Sequence, residues 1–244
     1  MNKQIFLANV KIDLLNDGEI EEKISYWINS NAKVCLSYVN AHAVNLAQKY
    51  NWFKDYLNKS EISYADGQGI RFAAWLLRKP IPPLVNLTRW SWNLFKFCER
   101  KKFSIYLLGA KPDVIQKAVE NIVMRFPNLK IAGFHHGYFE KTKAESKRIA
   151  ELISSIKPNI LLVGMGMPLQ EKWIKDNLNN LNVNIIMNAG SCIDIIAGTK
   201  KVCPLWMSNI GLEWAFRLSQ EPKRLFKRYI IGNPKFVYYI LTKK

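Results

Sequence analysis

The run ISYADGQGIRF, residues 62–72, carries a single carboxylate, Asp66, directly after a β-prone stretch and just before Gly67 and Gly69. Asp-Gly is a common turn pair because glycine tolerates positive φ, and a turn needs no chemistry. A carboxylate at a strand end, beside residues without side chains, also suits a general base that takes a proton from a sugar hydroxyl held close to the backbone. The elements around it decide between these readings.

Three segments share one grammar: an apolar β-prone run, a glycine-containing break, then helical spacing. They are FSIYLLGAKPDVIQKAVENIV from Phe103, NILLVGMGMPLQEKWI from Asn159 and VNIIMNAGSCIDIIAG from Val183. Pro112 fits the first turn of the helix it opens. AKVCLSYVNAHAVNLAQKY starts the same way, and LKIAGFHHGYF reads as a further short strand. Alternating strands and helices imply an α/β fold with a parallel, Rossmann-like sheet covered on both faces. Ligands of such sheets bind past the carboxyl ends of the strands, where Asn40, Asp66, Gly109, Gly164 and Asn188 fall. That position favours chemistry at Asp66.

No loop matches GxGxxG or GxxxxGK[ST], so dinucleotide binding and P-loop ATP hydrolysis are disfavoured. No Asp-x-Asp occurs, and His42, His135 and His136 with four unpaired-looking cysteines make a poor metal set, so neither metal nor cofactor is expected. Phosphate must then be met by backbone amides, helix N-termini and Arg or Lys.

The net charge of +17 over 244 residues calls for a polyanionic partner. From Lys200 onward ten Lys/Arg face two Glu, interleaved with Trp206, Trp214, Phe216, Phe226, Tyr229, Phe236, Tyr238 and Tyr239. Basic-aromatic mixtures suit stacked RNA or a membrane interface. On a helical wheel Arg224, Lys227 and Arg228 share a sector opposite Leu225, Phe226 and Tyr229, with breaks expected at Pro222 and Gly232–Pro234. No apolar run is long enough to cross a bilayer and the N-terminus does not read as a signal peptide, so a cytoplasmic protein is expected.

Seven motifs in order, VNAHAVNLA, YADGQGI, LLGAKPDV, HHGYF, GMGMPLQEKWI, NAGSCIDIIAG and LEWAFRLSQEPKRLFKRYIIGNP, resemble the bacterial WecG/TagA/CpsF glycosyltransferases. The resemblance implies inverting, metal-independent transfer of a sugar, of the N-acetylmannosamine type or a related hexose, from a UDP-sugar donor. The implied acceptor is a sugar on undecaprenyl diphosphate, in cell-wall, teichoic-acid or surface-polysaccharide synthesis at the inner membrane face. It implies a Rossmann-like core, residues 1–196, and a basic, membrane-docking C-terminal appendage, residues 197–244. Asp66 matches the family's catalytic base. Tyr38, Asn40, Gln170, Glu171, Asp194, Arg217, Arg224 and Arg228 match substrate-binding positions, with Gln170 and Glu171 on the nucleotide-sugar side, Asp194 toward the nucleoside and the arginines toward diphosphate. Tyr38, Leu84, Arg89 and Lys227 depart from the family pattern, the first three near the expected sugar pocket. The implied partners are the UDP-sugar, the lipid-diphosphate sugar and an anionic membrane surface rather than nucleic acid, with self-association left open. A nucleic-acid-binding protein and a transferase acting on a soluble glycan are the competing readings.

Overall fold

The computed structural model describes residues 3–140 and 142–243. Met1, Asn2 and Lys244, the ends of the two expected domains, and Lys141 lie outside the described residues. The expected α/β sheet forms with eight strands: β1 (Gln4–Leu7), β2 (Val10–Asp13), β3 (Val34–Val39), β4 (Ile62–Ala65), β5 (Ile105–Gly109), β6 (Ile131–His135), β7 (Ile160–Gly164) and β8 (Ile185–Asn188). Their order is β1-β2-β4-β3-β8-β7-β5-β6. β1 runs antiparallel to β2 through Ala8 and Asn9, both at positive φ, the geometry of a tight two-residue hairpin turn. The pairs β2·β4, β3·β8, β7·β8, β5·β7 and β5·β6 are parallel. β4, β5, β7 and β8 are buried along their whole length, as strands covered on both faces must be.

The chain folds as two compact units, the first built from the residues up to Asp17, Ser37–Asn86 and Val202 onward, the second from Gly18–Leu36 and Leu87–Lys201. In the first, buried Asp13 accepts the Ser63 N–H at 2.7 Å and so ties β2 to the strand that carries Asp66. Val39 O accepts the Asp66 N–H at 2.8 Å, which locks the ends of β3 and β4 together. Asn40 then caps helix Ala41–Lys49, its Oδ1 accepting the Ala43 N–H at 3.1 Å. The C-terminal helix Gly232–Thr242 packs on this helix; Phe236 and Ile240 are buried, and Asn45 Nδ2 donates to Gly232 O at 2.7 Å.

Two expectations for the tail need correction. Gly232–Pro234 does not break the helix: Pro222–Phe226 runs into a π-helical turn, Lys227–Ile231, and on into Gly232–Thr242. Pro234 follows the π-helical turn, where the i→i−4 ladder is already interrupted and a missing N–H is tolerated. Nor does the wheel hold, since it assumes an unbroken α-helix. Phe226 is exposed, Leu225 is buried, and the wider turn brings Tyr229 beside Arg228 with the guanidinium 5.4 Å from the ring centre.

In the second unit β5 and β7 come so close at their carboxyl ends that a Cβ on Gly109, φ 149°, would lie 2.3 Å from Gly164 O. Only glycine fits there. Helix Pro112–Arg125 follows with its proline in the first turn, as the sequence predicts, and helix Leu169–Asn177 follows β7 with Gln170, Glu171, Trp173 and Ile174 buried.

Candidate functional site

Local geometry explains why Asp66 sits where it does. β4 ends at Ala65, and Gly67, at φ 88°, turns the chain into helix Gln68–Leu76. Nothing lies within 4 Å of a Cβ built on Gly67, so its backbone angle, not crowding, selects glycine there. A Cβ on Gly69 would make ordinary contacts with Ala41 and Phe236.

A pocket of about 660 Å³ opens in the first unit around Asp66, with Asn40, His42, Arg71, Glu213, Arg217 and Arg228 among its walls. Asn40 Nδ2 donates to Asp66 Oδ2 at 3.2 Å and orients the carboxylate. Burial pushes Asp66 up to about 6, helped by the charge of Glu213, while Arg217, the Asn40 bond and Arg228 hold it down. That value leaves a base ionised near neutrality yet basic enough to accept a proton. Burial, with Arg228 and Arg224 adding to it, lowers His42 to about 4, so its ring stays neutral.

Arg217 Nη2 donates to Glu213 Oε1 one helical turn away, and Glu213 Oε2 accepts from Ser208 Oγ and Asn86 Nδ2, each at 3.3 Å. Burial disfavours the Arg217 charge, but Glu213 and Asp66 outweigh it and hold the guanidinium above its usual range. Arg71 Nε and Arg228 Nε are both buried without a hydrogen-bond partner in this pocket wall. Those Nε atoms are closed off from the cavity, but three guanidinium groups in one pocket wall suit an anionic, acceptor-rich ligand.

The other site candidates lie elsewhere. Arg224 is exposed and bidentate to Glu221 within the tail. The ring of Tyr38 on β3 lies 6.5 Å from that of Tyr64, the two planes tilted by 39°. In the second unit Gln170 is 0% exposed; its Oε1 accepts the N–H groups of Gly166 and Gly190 at 3.1 and 3.0 Å and its Nε2 donates to Glu171. It thus cross-braces the glycine loops after β7 and β8. Glu171 Oε1 also accepts from Asn188 Nδ2 at 3.1 Å, while its Oε2 is buried without a partner, and burial pushes the acid up to about 7. Asp194, in the short helix Cys192–Ile196, lies 3.8 Å from Lys200.

Glu213, His42 and Arg71 are pocket residues that sequence reasoning missed. The Glu213–Arg217 spacing of four is a legible helical ion-pair signal. His42 and Arg71 fall within the quoted motifs, but nothing local says which way their side chains point.

A carboxylate raised to about 6 in a pocket lined by guanidinium groups, at the carboxyl end of β4, suits an enzyme that acts on an anionic substrate. The model of the glycosyl transferase WecG/TagA/CpsF family matches residues 5–244, and the chain belongs to that family; it is a glycosyltransferase. It is 29% identical over 205 residues to N-acetylglucosaminyldiphosphoundecaprenol N-acetyl-beta-D-mannosaminyltransferase of Staphylococcus aureus strain MW2, covering 84% of this chain and 78% of that one. The protein of the same name in strain NCTC 8325 matches with the same identity and coverage.

Proposed function

We propose that the protein moves an N-acetylmannosamine-type sugar, with inversion, from a UDP-sugar to the N-acetylglucosamine of an undecaprenyl-diphosphate-linked acceptor. The setting is cell-wall or surface-polysaccharide synthesis at the inner face of the cell membrane. The observation that carries this reading is a carboxylate raised to about 6 in one pocket with Arg217 and Arg228. The names of the staphylococcal relatives supply the sugars and the lipid.

In this reading the acceptor hydroxyl attacks the anomeric carbon from the face opposite UDP, and Asp66 takes its proton. The bond from that carbon to the UDP oxygen breaks, its electron pair leaving with the diphosphate. One base suffices, in contrast to the two carboxylates of glycoside hydrolysis. Asn40 orients the base. Arg217, Arg228 and Arg224 face the acceptor's diphosphate oxygens, and backbone amides and helix N-termini meet the leaving UDP diphosphate in place of a metal. The loops that Gln170 braces, with Glu171 beneath them, receive the nucleotide-sugar, Asp194 serves the nucleoside, and Tyr38 borders the sugar.

No described helix is long and apolar enough to cross a membrane. Docking is assigned to residues 197–244, where Leu205, Trp206, Ile210, Phe226, Ile231 and Tyr238 are exposed among the basic residues. Each Lys or Arg near an anionic surface contributes ~1 kcal/mol.

The test is UDP release from a panel of UDP-sugars with an N-acetylglucosamine-diphosphate-lipid acceptor. One donor should stand out, and kcat/KM should rise with pH through about 6 as Asp66 ionises. An inflection near 4 would instead point to His42 as the base. No release with any donor would end the reading, and loss of activity in EDTA restored by Mn²⁺ would end its metal-free part.

A further inference from the structure

We infer that the aromatic arm of the Asp66 pocket is an isoprenoid slot, which holds the first prenyl units of the acceptor while the arginines hold its diphosphate. The inference deepens the acceptor reading above and rests on it.

The geometry starts with helix Gln68–Leu76, which begins two residues after Asp66. Gln68, Arg71, Phe72 and Trp75 all line the pocket, a spacing of three and four that places them on one helix face. At about 1.5 Å per residue that row leads ~10 Å away from the carboxylate. It is polar where it starts and aromatic where it ends, with the Phe72 and Trp75 rings 5.7 Å apart.

Ile81 adds to the apolar lining from the segment Pro80-Ile81-Pro82-Pro83, whose proline rings restrict φ. Ile210, Trp214 and Val237 complete it from the tail. These side chains are exposed although they wall a pocket: Trp75 by 62%, Ile81 by 49% and Ile210 by 65%. Apolar surface gathered in a concavity marks a binding site rather than the scattered exposure of an ordinary surface.

Charge identifies the occupant. Arg71, Arg217 and Arg228 all line the same pocket. A ligand that satisfies both parts is anionic at one end and a branched hydrocarbon at the other. A polyprenyl diphosphate has that form. A flat bilayer surface would cover the rim but would not enter the concavity.

The experiment measures kcat and KM without vesicles, using two acceptors that share an N-acetylglucosamine diphosphate. One carries a methyl group in place of any prenyl unit and the other a geranylgeranyl chain. Wild type, Trp75→Ser, Ile81→Ser and Trp75→Phe are compared; the replaced side chains are solvent-exposed, so folding is spared. Wild type should favour the long chain through a KM lower by roughly tenfold or more, the size expected for burying a few apolar groups. Trp75→Ser and Ile81→Ser should lose that preference with turnover of the short acceptor unchanged, and Trp75→Phe should restore most of it.

Equal KM for the two acceptors in wild type, or a preference that survives both serine variants, would overturn the slot alone. So would serine variants that keep the preference but lose co-sedimentation with anionic vesicles, since the patch would then serve the bilayer. Wild type that consumes neither acceptor would overturn the acceptor reading and the slot together.

Discussion

Asp66 and Glu171 are both acids that burial pushes up, to about 6 and about 7, yet their surroundings differ in kind. Asp66 lies in a pocket wall, held by Asn40 and within reach of the charges of Glu213, Arg217 and Arg228. Glu171 is closed off beneath two glycine loops, bound by Gln170 and Asn188 and with no cation among the causes of its shift. Desolvation alone therefore does not distinguish a carboxylate open to ligand from one that braces loops. Access to ligand and the company of counter-charges do, because a proton acceptor must meet its donor and must have its charge balanced when the proton leaves.

The largest effect should come from Asp66→Asn, which keeps the shape and removes the basic charge. A loss of ~10²–10⁴-fold in kcat is expected, with the fold intact by circular dichroism. Near wild-type turnover would erase the contrast with Glu171.

Gln170→Ala comes next. It removes the acceptor of the Gly166 and Gly190 N–H groups, and each backbone amide left unsatisfied in a buried setting costs about 1–3 kcal/mol. A lowered unfolding midpoint together with weaker UDP binding in calorimetry is the expected pair. Weaker UDP binding with unchanged stability would make Gln170 a direct ligand rather than a brace.

Glu171→Gln sharpens the comparison through pH. The folded pKa, about 7, lies above the ordinary 4.5, so folding takes up a proton and the acid's contribution to stability falls as pH rises between those values. The glutamine retains an oxygen for Gln170 and Asn188 but cannot ionise. Denaturant unfolding should therefore show the variant gaining on wild type at pH 8 relative to pH 5, and parallel curves would count against a buried, titrating Glu171.

Glu213→Gln probes the other acid. Glu213 raises Asp66 and holds Arg217, so its neutralisation should move the acid limb of the kcat/KM profile to lower pH. An unmoved limb would mean that burial alone sets the base.

The smallest effect belongs to the exposed tail. Arg224→Ala should reduce turnover of lipid acceptor more than Lys223→Ala, because only a guanidinium can grip diphosphate with two parallel bonds. Its exposed pairing with Glu221 should contribute under about 1 kcal/mol to stability. Equal losses in the two variants would leave the tail with charge but no directed contact.

Much of the architecture was legible in the chain. Unbroken apolar runs followed by glycine and helical spacing marked β5, β7 and β8, since a strand buried on both faces leaves no alternation to read. Asp66 was legible as well, because the end of a strand and a positive-φ glycine are local properties. The β1–β2 hairpin was not. Its turn uses Ala8, a residue that gives no turn signal, at positive φ.

The sequence by itself determined the strand ends, the residue types placed on them and the excess of positive charge, because backbone preference and periodicity act over a few residues. The tertiary structure alone decided the rest of the candidate site. It turned Gln170 inward to brace two loops and put Glu213 against Arg217 in the pocket of Asp66. A π-helical turn set Arg228 in the pocket wall, and Arg224 was left outside, paired with Glu221. The physical reason is range. Burial and Coulomb interactions are set by neighbours far away in the chain, such as Asp66 and the helices after residue 205, and no short window of sequence contains both partners.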